Sequence, residues 1–447
     1  MTSGKAQVET LLALINQATH QAVAEYDKAG ADVPSLDSVE PHPLDGSNDT
    51  STLKKAIRLL EGACEQLCAT LAPPHHTIIN RTQNCDWPCF ATVIEARVAD
   101  ALAGHPAGLH VAELSKVVNI EPKKLARILR VLATKHCFTE VDGDVFANNR
   151  LSLMLHSANP VSDLASMQLT LLPKVTTALW DTLSQEPHAT SNERTDAPLM
   201  RALQYDGDFF DWMKAHPEKR SSFQRAMVGM NTVMGSKNVL YQYNWDNCKT
   251  LCDVGSGVGS FSMPLSRLYP HIHISMIDLP GPIGQAKQFW TREYPEAIVE
   301  GRVKLVEGDF FKPITVKDQD IYYIGNCVHN WADGDARLIL KNIREAMGKN
   351  SRLLIHDYVI QHLNRTQVTD APTSLSLQLD AAPAPLLANF GMGSVRAHYQ
   401  DITMLITYNA RERSLNEVSD LAANGDLVLD GVLDLGETTL LQFRAAQ

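Results

Sequence analysis

Three groups of residues in this chain of 447 could do chemistry. The first is the turn Asp253-Val-Gly-Ser-Gly-Val-Gly, in which Gly255, Gly257 and Gly259 follow the short run Leu251–Val254 and precede the helix-like Ser-Phe-Ser-Met-Pro-Leu-Ser-Arg-Leu of 260–268. Glycines there let a strand turn sharply and bring a ligand against bare backbone, while a helix start offers free N–H groups and a positive dipole end. Asp278 closes the alternating run Ile272–Ile277 on what reads as the next strand, where an acid can hold both hydroxyls of a ribose. This predicts a nucleoside site. Asp309-Phe310 follows a third strand and suits an adenine, the acid on its exocyclic amine and the ring on its face; the alternative is a strand-end turn acid and a core phenylalanine.

The second group is His329 in Gly-Asn-Cys-Val-His-Asn-Trp-Ala-Asp, residues 325–333, just past a fourth strand. In an open parallel sheet ligands bind at the carboxyl ends of strands, and an imidazole titrating near ~6.5 is the natural general base at neutral pH. Asp357, at the end of a fifth strand, and Glu412, between two helices, could each orient that ring and fix its tautomer. Each alone reads equally as a surface or capping acid. The third group is a helix face carrying Phe223, Met227, Met230 and Met234, with Asn231 and Thr232 beside it. Methionines there form either plain core or an adaptable apolar pocket.

The elements that must position these groups follow from periodicity. From residue 249 strand and helix alternate, which predicts an α/β doubly wound, mostly parallel sheet of the Rossmann-like kind. Strands are expected at 250–254, 272–277, 303–306, 320–325 and 352–356, then at 426–432 and 438–444 as an antiparallel hairpin. Helices are expected near 260–268, 282–292, 333–347, 396–408 and 414–423. The Pro/Ala/Ser-rich stretch 361–395 leaves the sheet at the ligand end and reads as a lid. Upstream, helical periodicity covers 7–28 and 51–71, with Ser51 as N-cap, joined by a polar linker at 30–50. These two helices lack partners for a core of their own and are expected to pack on the next region or on a second subunit. Residues 91–148 have the rhythm of a winged helix-turn-helix, with a helix at 91–103 and a strand-like segment 138–146 turning at Asp142-Gly143. That unit is either a DNA reader, through Lys123, Lys124, Arg127 and Arg130, or a scaffold whose charges are a solvated face. Residues 162–235 read as helices. The division expected is 1–84 as N-terminal helices and linker, 85–235 as winged-helix and helical pocket region, and 236–447 as the nucleoside-binding domain.

Composition narrows the classes. The chain is 44% hydrophobic and 20% charged, as in ordinary globular proteins, and its net charge of −11 argues against a general nucleic-acid binder. No run of 18 apolar residues is present and the N-terminus lacks an apolar signal core, so a cytoplasmic location with the eight cysteines reduced is expected. Cys64/Cys68 and Cys85/Cys89 are spaced by four, which suits helix packing better than a zinc site, and no metal is expected.

The motifs Leu-Cys-Asp-Val-Gly-Ser-Gly-Val-Gly (251–259), Ile-Asp-Leu-Pro (277–280), Glu-Gly-Asp-Phe-Phe (307–311), His-Asn-Trp-Ala-Asp (329–333), Asp-Ile-Thr-Met-Leu (401–405) and Glu-Arg-Ser (412–414) resemble those of the plant and fungal small-molecule O-methyltransferases of the caffeic acid type. The resemblance covers nearly everything from about residue 85 onward. It implies a class I methyltransferase domain behind a winged-helix dimerisation domain, a homodimer, and S-adenosylmethionine held by Asp253, Gly255, Ser256, Gly257, Asp278, Leu279, Asp309 and Phe310. It further implies that His329 deprotonates a hydroxyl of a small molecule, flanked by Asp357 and Glu412, and that Trp331 and Met404 join Met227, Met230, Asn231 and Thr232 around the acceptor. Three positions depart from the family: Asn330 where it has aspartate, Gly325 where it has a basic residue facing the cofactor, and Asp357 where it has glutamate. Some fungal members of this type are pericyclases that steer dehydration and cyclisation without consuming the cofactor. That alternative stays open here, as does a regulatory role through the winged helix.

Overall fold

The structure is a computed structural model that describes residues 3–46, 49–365 and 379–446, apart from the side chains at 171, 172, 174, 176 and 177. Helices Gly4–Lys28 and Ser51–Leu71 open the chain. Thr50, one residue before the expected cap, occupies the N-cap of the second, and Ser51 is its first helical residue. The pair buries Leu11, Leu14, Ala18, Leu59 and Ala63 against Ala382, Leu386 and Phe390, far along the chain. Within the chain, then, their partner is not the next region but a segment more than three hundred residues on. The contact is close: a Cβ on Gly62 would lie 2.1 Å from the Phe390 carbonyl oxygen, and one on Gly393 1.8 Å from that of Arg58. Arg58 stacks over the Phe390 ring at 4.3 Å and pairs with Asp434 at 2.7 Å. A further helix, Pro74–Thr82, carries no buried residue, so its sequence has no apolar face to announce it.

The winged unit comes next. Strand β1 (Leu109–His110), helices Val111–Val118 and Pro122–Ala133, and strands β2 (Thr139–Asp142) and β3 (Val145–Ala147) close a small sheet in the order β1-β3-β2. The predicted helix at 91–103 is two, Asp86–Glu95 and Val98–Ala101, because Arg97 turns left-handed at φ 51°. Leu114, Leu125, Leu129 and Leu132 fill the core of this unit. Helices Pro160–Ser184 and Pro217–Met234 pack together at Gly229, where a Cβ would come 2.4 Å from the Pro160 carbonyl oxygen.

The C-terminal sheet has β4 (Thr250–Val254), β5 (His273–Asp278), β6 (Val303–Glu307), β7 (Ile321–Gly325) and β8 (Arg352–Asp357). The short β9 (Val359–Ile360) and β10 (Arg413–Ser414) follow, then β11 (Leu427–Asp434) and β12 (Thr439–Ala445). Its order is β11-β12-β8-β7-β4-β5-β6, parallel except where β12 pairs antiparallel with β8 and β11. Buried aliphatics cover both faces, as a parallel sheet flanked by helices requires. The order reverses between β4 and β7, and the carboxyl ends of those strands carry the glycine turn and the segment leading to His329. Of the predicted lid, residues 366–378 lie outside the described residues. The part from 382 to 390 is held down against the N-terminal helices instead.

Candidate functional site

The glycine turn leaves β4 through Gly255, Gly257 and Gly259 at φ 71°, 55° and 90°, the left-handed region that favours glycine. Gly259 has a steric reason as well, since a Cβ would meet Trp290 Nε1 at 2.7 Å and Met276 Cε at 2.8 Å. The N–H groups of Gly255, Ser256 and Gly257 are taken within the fold. Gly255 and Ser256 donate to the Ile277 carbonyl at 2.9 and 3.2 Å, and Gly257 donates to Asp278 Oδ2 at 2.8 Å. The turn is thus stapled to β5, and side chains rather than a row of bare amides face a ligand. Asp278 also accepts from Leu279 N at 2.7 Å, and burial pushes its carboxyl above the usual range. A carboxylate has about four lone-pair directions, so Asp278 can still take hydroxyl donors. Leu279 is half exposed beside it. Ser256 Oγ is buried with no partner, and the direction of a Gly257 Cβ is open space. An orphaned hydroxyl, an acid with spare lone pairs and an open glycine fit a nucleoside cofactor. Asp253 faces elsewhere: its Oδ2 accepts from Ser262 Oγ at 2.5 Å, and burial pushes it up to about 7.

Asp309 turns on itself, its Oδ1 accepting from Phe311 N at 2.9 Å. The Phe310 ring lies where a Gly255 Cβ would be 3.6 Å away, with Cys327 Sγ at 3.4 Å. Cys327 therefore lines the same cradle, a residue that sequence reasoning missed because a lone thiol carries no pattern. Trp331 packs edge-on to Phe310 at 5.8 Å and Phe311 at 4.6 Å, and the Arg194 guanidinium covers its ring at 4.2 Å.

His329 sits in a single turn, Val328–Asn330, directly after β7. Two pieces of pairing bring its acids to it. The β7–β8 register sets Gly325 against His356 and so Asp357 beside the turn. The β9–β10 pair sets Arg413 against Val359 and so Glu412 level with Tyr358, one residue past Asp357. His329 Nδ1 lies 2.7 Å from Glu412 Oε1 and 3.7 Å from Asp357 Oδ1. The side chains are buried, and Asp357 Oδ1 and Glu412 Oε2 have no hydrogen-bond partner. Burial alone would push the imidazole down, but the Glu412 and Asp357 carboxylates outweigh it and hold His329 at about 9. Burial raises Asp357 to about 7. Arg413 fastens the turn, donating to the carbonyls of Val328 at 3.1 Å and Trp331 at 2.7 Å and pairing with Asp333 at 2.9 Å.

Gly325 has a local explanation. A Cβ there would lie 2.7 Å from the Tyr323 hydroxyl, which is fixed by His356 Nδ1 at 2.8 Å and by stacking on Phe261 at 3.6 Å. A basic side chain at 325 would need Tyr323 to move. Asn330 donates to the Asn326 carbonyl at 3.4 Å. Met227, Met230 and Asn231 are half-buried. Thr232 is exposed, its hydroxyl donating to Val228 O of its own helix at 3.2 Å. Met404 is buried among Val175, Met200, Phe209 and Tyr408. The helix Val395–Tyr408 that carries Met404 packs against the Val328–Asn330 turn of His329.

A mostly parallel sheet with an antiparallel C-terminal hairpin, a glycine turn at its switch point and an acid at the end of the next strand define a class I methyltransferase fold. The comparisons carry this further. The family model for the O-methyltransferase domain matches residues 185–382, and that for the O-methyltransferase dimerisation domain matches 87–158. The chain is 37% identical to 3-O-methyltransferase 2 of Phanerochaete chrysosporium over 99% of its own length and 98% of the relative's. Among solved structures it is similar to mitomycin 7-O-methyltransferase MmcR, with TM-score 0.65 at 23% identity over 83% of this chain and 98% of that one. It is also similar to LepI in complex with S-adenosylmethionine, with TM-score 0.69 at 18% identity over 88% and 94%. The chain belongs to the S-adenosylmethionine-dependent O-methyltransferase family.

Proposed function

We propose that this protein transfers the methyl group of S-adenosylmethionine to a hydroxyl of a small fungal secondary metabolite, with His329 as general base. The observation that carries the reading is the contact of His329 Nδ1 with Glu412 at 2.7 Å, which fixes the ring and leaves Nε2 without a partner among the described residues. Asp278, Ser256, Gly255, Gly257 and Leu279 would hold the nucleoside, with Asp309 and Phe310 at the adenine, and Asp253 would brace the turn from below. When bound, the cofactor supplies an electrophilic methyl on a sulfonium that carries its own leaving group. The chain's part is to position the acceptor and accept its proton at Nε2, and Glu412 and Asp357 steady the resulting imidazolium. Met227, Met230, Asn231, Thr232, Trp331 and Met404 would shape the acceptor side. The 1–84, 85–235 and 236–447 division, a homodimer formed through the matched dimerisation region, and a cytoplasmic setting for the free cysteines complete the reading. Among the described residues no helix is long and apolar enough to cross a membrane.

One observation favours a second reading. An imidazole held at about 9 rests as a cation, which donates a hydrogen bond rather than taking a proton. Such a group suits a pericyclase that aids dehydration and cyclisation with the cofactor bound but unconsumed. Incubation with phenolic and enolic acceptors plus S-adenosylmethionine separates the two. Methyl transfer gives S-adenosylhomocysteine and a product heavier by one methyl. A product of unchanged or water-depleted mass, with no S-adenosylhomocysteine, overturns the methyltransferase reading.

A further inference from the structure

The carboxylates around the cofactor cradle outnumber the cations that face them. Cys327 marks the middle: it lines the cradle against Gly255, and the charges of Asp357, Asp278 and Asp253 all bear on its thiol. Asp357 and Glu412 both aim at one nitrogen of His329, and each keeps an oxygen without a partner. The neighbouring cations are committed elsewhere. Arg413 is spent on Asp333 and two backbone carbonyls, and Arg411 is paired with Asp333 and Glu417. His356, next in the chain to Asp357, is held neutral by burial between Tyr323 and Thr438. The other groups facing the cluster add no positive charge. Asp401 accepts from Glu412 N at 2.9 Å, and the Tyr358 hydroxyl is buried without a partner. Arg413 reaches His329 and Asp357 through its charge alone, without a hydrogen bond to either, and the rest of the balance is the proton inventory of His329 and Asp357 themselves.

We propose that the His329–Asp357–Glu412 cluster gives up one proton to solvent when the site takes a sulfonium cation, so that the protein exchanges a proton for the charge of its methyl donor. The proposal rests on the cofactor assignment and not on which reaction follows. A cation beside carboxylates favours their ionised form, and the proton inventory of a site is thermodynamically linked to what it binds. Asp357, at about 7, is the group poised to supply the proton near neutrality. The thioether product, S-adenosylhomocysteine, lacks the sulfonium charge, so the cluster takes its proton back once the methyl has gone. The acids then disfavour neither form by shape; they distinguish the two by charge.

Calorimetric titration of the full chain at pH 7, in buffers of differing ionisation enthalpy, counts the protons. About half a proton, the share that a group at about 7 still holds at pH 7, is released with S-adenosylmethionine and close to none with S-adenosylhomocysteine. The affinity for S-adenosylmethionine rises between pH 6 and 8 by up to about tenfold per unit, the limit for one linked proton, whereas that for the thioether stays flat. Asp357→Asn abolishes the release. Equal proton counts for the two ligands, or release that persists in Asp357→Asn, overturns the proposal. The two-ligand comparison on the unaltered protein decides even if a variant fails to fold. Binding of neither ligand would count against the cofactor assignment instead.

Discussion

His329 and His356 lie on either side of the same sheet end and are both buried, yet they are pushed in opposite directions. His329 meets two carboxylates and is held at about 9, whereas His356 meets the Tyr323 and Thr438 hydroxyls at 2.8 Å each and falls to about 4. Burial disfavours the charged form of both. What differs is the charge of the partner, so a buried histidine is a charged or a neutral element according to the two or three atoms it touches. His329 is accordingly suited to proton traffic, and His356 to holding a tyrosine in place.

The largest test of this contrast is on activity. His329→Gln removes the base and lowers methyl transfer by about 10²–10⁴-fold, while calorimetry shows the cofactor still bound. Near-normal turnover of this variant breaks the assigned difference between the two rings.

The next test reads stability against pH. His329 has a folded value above the ordinary ~6.5, so its contribution is fully present below that pH and is lost as pH rises through about 9. Asp357, raised from the ordinary carboxylate range to about 7, loses its contribution earlier, as pH rises from ~4 to about 7, and so opposes the His356 limb rather than joining the alkaline one. His356 has the reverse sign. It stays neutral in the fold while the unfolded chain takes up a proton, so stability falls as pH drops from ~6.5 through about 4. Denaturant midpoints across pH should show both limbs, with His329→Gln flattening only the alkaline one and His356→Phe only the acid one. Loss of the same limb in both variants removes the contrast.

The smallest effect sharpens the neutral side. Tyr323→Phe leaves His356 Nδ1 without its partner and is expected to cost about 1–3 kcal/mol in chemical denaturation. A neutral outcome would mean that the Tyr323–His356 contact holds nothing.

The fold was legible in unequal parts. The seven long strands of the C-terminal sheet lie within a residue or two of their predicted limits, because alternation and apolar runs are written locally. The glycine turn was legible too, but the fate of its N–H groups was not: that depends on Ile277 and Asp278 of a neighbouring strand. His329, Asp357 and Glu412 could each be named from position, whereas their shared nitrogen follows from two strand registers that no local pattern encodes. Cys327 and Tyr323 gave no signal. One is a lone thiol, and the other is a strand residue whose hydroxyl matters only because residue 325 has no side chain. The partner of the N-terminal helices was unreadable for the same reason, lying more than three hundred residues along the chain.

That last packing bears on where the protein can be cut. The region matched by family models begins at residue 87, and a fragment starting there would keep the whole sheet. It would also strip Leu11, Leu14, Leu59 and Ala63 from Ala382, Leu386 and Phe390, and Arg58 from Asp434 at the start of the terminal hairpin. An apolar strip on the catalytic half would then face water. The opening helices are a built-in cover for that strip, and shortened versions of this enzyme should be made by trimming the linker at 30–50 while both helices stay attached.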